Sequence, residues 1–181
     1  MKDLSEISDY SQHKTRVLIY SSHLRIAELV LYVLDFFGKE VGYFLETGRT
    51  KKAESDFVIL ETSDFRVASD FKGNIVLVPE EINGENISPV LKNITPGGVL
   101  IYPNRIEQVV ERSENFFRRL PFLDTEFKSI DGKLVINTEI GSIPLVSGDE
   151  NLDKNINGIK LLCQQFGIME EDFYEALMGF E

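Results

Sequence analysis

Four short apolar runs constrain this chain more than any other feature: "RVLIY" (Arg16–Tyr20), "DFVILE" (Asp56–Glu61), "NIVLV" (Asn74–Val78) and "GVLIYP" (Gly98–Pro103). Each is β-rich and continuous instead of alternating, so each reads as a strand covered on both faces. Such strands need helices above and below, and the intervals between the runs leave room for them. Leu24–Phe37 sets Ile26, Leu29, Val30, Val33, Leu34 and Phe37 at helical spacing, Gly38 supplies a stop, and Val41–Leu45 is a second short strand. A further helix is predicted within Glu81–Ile94, ended by Pro96 and two glycines, and another over Arg105–Leu120 with Ile106, Val109, Val110 and Phe117 on one side.

Beyond Pro121 the pattern alternates, and Asp131-Gly132 is a strong hairpin signal. Two antiparallel strands are expected there, with a third near Ile143–Val146. Two helices, Asn151–Phe166 and Glu170–Phe180, follow on either side of Gly167. The predicted fold is α/β: a mostly parallel, Rossmann-like sheet of the P-loop type flanked by helices, with a small antiparallel hairpin late in the chain. Residues 1–14 read as a polar amino-terminal arm and 15–181 as a single domain, within the reach of one core for 181 residues that are 43% hydrophobic.

Charge and cysteine usage narrow the function. A net charge of −11 opposes approach to nucleic acid or an anionic membrane surface. No apolar run is long enough for membrane insertion, and the first residues have no apolar centre for a signal peptide. The single cysteine, Cys163, excludes an internal disulfide, reads as a buried structural thiol, and fits a cytoplasmic protein.

The turn after the first strand is where an α/β nucleotide-binding protein holds phosphate, using glycine N–H groups, a lysine and a hydroxyl for magnesium. Here it reads Ser21-Ser22-His23-Leu24-Arg25, with no glycine and no lysine. Ser22 is expected to cap the following helix, and His23 to face solvent or cap, since no partner is identifiable from sequence. With His13 it gives no metal-ligand spacing. A weak anion site at this turn, using Ser21, Ser22, His23 and Arg25, is the competing reading. Glu80, Glu81 and Glu85 read as a solvated acidic face.

Several stretches resemble the central, ATP-binding domain of the Mur ligases, in the muramate–alanine ligase and murein-peptide ligase branch. They are "SDFVILETSDF", "VLKNITPGGVLIYPN" and, most specific, "GDENLDKNINGIKLLCQQFGIMEEDFYEALMGFE"; the likeness spans roughly 15–181. The resemblance implies a magnesium-linked glutamate at Glu61, with Asp64 near its acidic cluster, and a helix-start asparagine at Asn155. It also implies features that are missing: the phosphate loop, two histidines and a carbamylated lysine, for which Lys128 is no counterpart. The histidine of the last motif is replaced by Glu150 or Asn151. The family's flanking domains are also expected to be absent, the chain starting near the first strand and stopping where the third domain would begin.

The family joins amines to acyl phosphates made from ATP, chemistry that depends on phosphate positioning. With a degenerate phosphate loop, ATP and magnesium binding are expected to be lost. The expected function is therefore that of a pseudoenzyme: a non-catalytic, stand-alone Mur-ligase-like module, with no catalytic residues or metal, that binds a protein partner or itself, in a setting that the resemblance links to peptidoglycan. The alternatives are a residual nucleotide or anion-binding protein using Ser21–Arg25 and Glu61, or a subunit of an ATP-dependent amide-bond ligase. An exposed apolar interface is expected to involve Phe173, Tyr174, Met178 and Phe180.

Overall fold

The computed structural model describes residues 4–130, 133–138, 141–145 and 149–180. Its centre is β1 (Thr15–Tyr20), whose side chains alternate between two cores: Val17 and Ile19 face one, Leu18 and Tyr20 the other. On one side β1 pairs in parallel with β4 (Phe57–Thr62), and on the other with β5 (Ile75–Leu77). The sheet extends through β2 (Gly42–Phe44) to β3 (Thr50–Lys51), and through β6 (Val99–Pro103) to β7 (Arg118–Phe122). The order is β3-β2-β4-β1-β5-β6-β7, parallel except at β2–β3. A separate three-stranded antiparallel sheet contains β8 (Phe127–Ile130), β9 (Lys133–Thr138) and β10 (Gly141–Pro144). The expected Asp131-Gly132 turn lies outside the described residues, as does the end of the strand expected at Val146.

Helix α2 (Leu24–Phe36) covers one face of the sheet by burying Ile26, Ala27, Leu29, Val30, Val33 and Leu34. It ends because Gly38 takes φ +64°, which lets the Lys39 N–H reach back to the Leu34 carbonyl at 2.8 Å. Helices α7 (Ile156–Gln165) and α8 (Glu170–Leu177) pack beside it. The other face carries α3 (Phe65–Phe71), α4 (Ser88–Asn93) and α5 (Glu107–Glu111).

The predicted α/β class and parallel core are present, and four expectations need correction. The segment read as a polar arm contains α1 (Leu4–Ser11), which buries Ile7 and whose Tyr10 hydroxyl donates to the Ala53 carbonyl at 2.9 Å and accepts from the Ala53 N–H at 2.8 Å. The helix expected over Arg105–Leu120 stops at Glu111, and Arg118–Phe122 is a strand. The Arg118 N–H donates inward to Gly98, so alternation turns residue 121 outward, where proline's missing N–H breaks no ladder bond. The helix expected over Asn151–Phe166 is two, α6 (Glu150–Lys154) and α7, divided at the buried Asn155.

The fourth correction concerns the apolar interface. Phe173, Tyr174 and Phe180 are 0%, 3% and 6% exposed, inside the core formed with α2 and α7, and only Met178, at 44%, faces solvent. Phe173 and Tyr174 belong to the ordinary apolar stripe by which an amphipathic helix seats on its own domain. The contrast is measurable by chemical denaturation: Phe173→Ala is expected to cost about 3–5 kcal/mol, and Met178→Ala about 0.5 kcal/mol or less.

Candidate functional site: the carboxyl edge of the parallel sheet

In an open α/β sheet the crevice for ligands lies beyond the carboxyl ends of the strands, where connections leave toward opposite faces. Here β1 leads to α2 on one face while β4 leads to α3 on the other, so the crevice is at the Ser21–His23 turn. Only these three residues separate β1 from α2. Ser21 is fully buried; its N–H donates to the Thr62 carbonyl at 3.1 Å, and its hydroxyl accepts from the His23 N–H at 2.8 Å and donates to Glu81 Oε1 at 2.5 Å. The turn therefore directs two of its N–H groups and its buried hydroxyl into the protein.

His23, not Ser22, occupies the N-cap position of α2, and no side chain caps the helix. Ser22 is exposed, which corrects the expected capping role. His23 has the partner that local sequence could not supply: its Nε2 lies 2.9 Å from Asp149 Oδ2. Asp149 in turn caps α6, accepting from the Asn151 and Leu152 N–H groups at 3.1 and 3.2 Å. Burial works to raise the Asp149 pKa, but the Leu152 amide and the facing His23 outweigh it and hold the carboxyl below its ordinary range. Of the two residues expected in the histidine's place, Glu150 points instead to Lys154 at 2.8 Å, and Asn151 serves the α6 start.

A second cluster adjoins the first through Glu80 and Glu81. Asn155, 1% exposed, accepts from the Glu80 N–H and donates to the Asn151 carbonyl, both at 2.8 Å; its side chain makes no cap bond at the start of α7, which corrects the expected helix-start role, and instead cross-links α6 to the segment after β5. The Glu80 carboxylate, 11% exposed, receives Arg105 Nε at 2.6 Å. Burial, and then a hydrogen bond with Asp124, raise its pKa. Of the expected solvated acidic face, Glu81 and Glu85 are exposed, while Glu80 is drawn inward by Arg105 and Glu81 also accepts the Ser21 hydroxyl.

The other sequence-derived positions lie apart. Glu61, 2% exposed, turns toward the β2 side and accepts the Glu46 N–H at 2.8 Å; burial raises its pKa against the lowering effect of that amide, and the carboxylate charges of Glu46 and Glu28 add to the rise. Asp64 is the N-cap of α3, accepting from the Arg66 N–H at 2.8 Å. Arg25 reaches toward α8, its guanidinium 4.6 Å from the Phe180 ring centre, with Glu28 at 3.7 Å. Among the described residues no group of three histidine, cysteine, aspartate or glutamate side chains is arranged to hold a metal ion. Cys163 is buried, and burial pushes its thiol pKa up.

No protein-family model matches this sequence, and no curated protein matches it. Solved structures do. MurF from Acinetobacter baumannii superposes with a TM-score of 0.67 at 14% identity, covering 95% of this chain and 48% of that one. The fold is that of the Mur ligases. A murein peptide ligase from Psychrobacter arcticus gives 0.71 at 11% identity over 98% of this chain and 49% of its own. MurF ligase from Thermotoga maritima, solved in complex with ADP, gives 0.68 at 13% identity over 98% and 52%. The chain thus spans about half the length of these Mur ligases.

Two outcomes follow from the geometry of this Mur-ligase-like sheet edge. Because the folded-state pKa of Asp149 is depressed, its contribution to stability is present above the unfolded carboxylate range and is lost as pH falls through the folded value. Asp149→Ala is expected to lower the unfolding free energy at pH 7 by about 0.5–2 kcal/mol, the worth of an N-cap, and to flatten the loss on acidification from pH 6 to 3 in urea titrations. Glu61 has the opposite sign, since its raised pKa means the ionised form is disfavoured in the fold. Glu61→Gln is expected to raise the urea midpoint at pH 7 and to leave it nearly unchanged at pH 3.5, where the native side chain is already protonated.

Proposed function

We propose that this is a non-catalytic Mur-ligase-like domain that works by binding protein, a partner or a second copy of itself, in a setting related to peptidoglycan synthesis. The observation that carries the reading is the Ser21–His23 turn: the Ser21 N–H is taken by Thr62, the Ser21 hydroxyl by Glu81, the His23 imidazole by Asp149, and the His23 N–H by the Ser21 hydroxyl itself. A phosphate loop needs those groups pointing outward. A triphosphate at this turn would meet the carboxylates of Glu80, Glu81 and Asp149, and the neighbouring cation Arg105 is already held by Glu80. Like charges in a partly dry crevice repel strongly, so these residues do not fit ATP with magnesium, and no acyl-phosphate step is assigned to them.

The peptidoglycan setting is supported by the fold shared with MurF and the murein peptide ligase, and fold alone does not transmit activity. Titration calorimetry with ATP or ADP, with and without magnesium, is expected to give no saturable heat up to millimolar nucleotide; saturable binding overturns the non-catalytic half of the proposal. Affinity capture under crosslinking, paired with light scattering, tests the other half. A stoichiometric protein partner or a defined oligomer is expected, and a strict monomer that captures nothing contradicts it.

A further inference from the structure

A cavity separate from the β1 turn lies between α4 and α5, with a volume of about 680 Å³, within the range of small-molecule sites. Its apolar wall is formed by Leu91, Ile106 and Val109. Three cations, Lys92, Arg105 and Arg112, stand around it against two carboxylates, Glu85 and Glu114. That excess is the reverse of the balance of the whole chain, −11.

The cations are not equivalent. Arg105 is fixed, its Nε 2.6 Å from Glu80 and an Nη 2.8 Å from the Ile82 carbonyl. Lys92 and Arg112 have no ion-pair partner among the described residues. A guanidinium and an ammonium beside an apolar wall are suited to a ligand with one anionic end and one apolar end: the anion takes charge-assisted hydrogen bonds while the hydrocarbon leaves water. Two packing contacts shape the walls. Asn115 Nδ2 donates to the Leu91 and Ile94 carbonyls, tying α4 to the segment after α5, and Gly84 lies so close to α5 that an added Cβ would sit 2.8 Å from Val109 Cγ2.

We propose that this cavity binds a small amphipathic carboxylate, its carboxylate held by Arg112 and Lys92 and its apolar body against Leu91, Ile106 and Val109. The site is independent of the β1 turn, and the proposal goes beyond the function inferred above without resting on it.

Amide NMR titration with octanoate tests it, with octanol and inorganic phosphate as separate arms. Octanoate is expected to give saturable shifts at Gly84, Ser88, Val109 and Ser113. The Lys92→Gln/Arg112→Gln double variant is expected to weaken them at least fivefold, with its spectrum elsewhere unchanged. Ser88→Trp, at an exposed position on the rim, is expected to block binding by occupancy, so the proposal does not depend on one variant. The absence of saturable shifts overturns it, as does affinity unaltered by the double variant. Octanol binding as tightly shows that the anion is not read, and phosphate binding as tightly shows that the apolar body is not; either result refutes the proposal.

Discussion

The Ser21 hydroxyl sits where β1 ends, between β4 and β5, and its two hydrogen bonds govern what the sheet edge can do. Accepting from the His23 N–H folds the chain into a three-residue turn and starts α2; donating to Glu81 ties that turn to the segment after β5. Ser21 is fully buried, so leaving its hydroxyl unpaired is costly. Everything else at the edge builds outward from this closure. His23, placed at the α2 start, meets Asp149; Asp149 starts α6; and Asn155, where α6 gives way to α7, holds the Glu80 amide.

The closure also explains how a Mur-ligase-like sheet is retained around a turn that contains no glycine. The two cores depend on strands β1, β4, β5 and β6 being covered by α2, α7 and α8 on one side and by α3, α4 and α5 on the other. None of that packing requires an anion at the β1 turn. The Ser21 hydroxyl and the His23 imidazole are taken up by side chains of the same chain instead, which couples the β1–α2 turn to α6 from far along the sequence. Stability and ligand binding draw on the same hydrogen-bonding groups here, so strengthening one removes donors from the other.

The parallel core was legible because a strand buried on both faces leaves a continuous apolar run whatever packs on it, as in Val17–Tyr20 and Val58–Leu60. The α2 period was legible for the same reason. Strand β7 was not: as an edge strand it carries Arg118, Arg119 and Pro121, the residues that discourage further pairing, and so it lacks the apolar signature. Helix α1 hides behind polar residues because a single side chain, Ile7, seats it in the core while Tyr10 hydrogen-bonds across to Ala53. At the site, the oddity of Ser21–Arg25 was visible, but its resolution was not. His23 and Asp149 are 126 residues apart, and a pair formed by tertiary packing leaves no local spacing to read. The reading of Phe173, Tyr174 and Phe180 as a surface failed because an amphipathic period records that one face is covered without recording by what.

The proposal that this edge does not bind nucleotide rests on the Ser21 hydroxyl and the His23 imidazole being held by Glu81 and Asp149. Its most direct measurement is a crystal structure grown in millimolar magnesium-ATP. The account predicts the Ser21–Glu81 and His23–Asp149 hydrogen bonds intact and no phosphate density over the turn. Ordered phosphate on the Ser22–Arg25 amides, with Glu81 or Asp149 displaced, would contradict it.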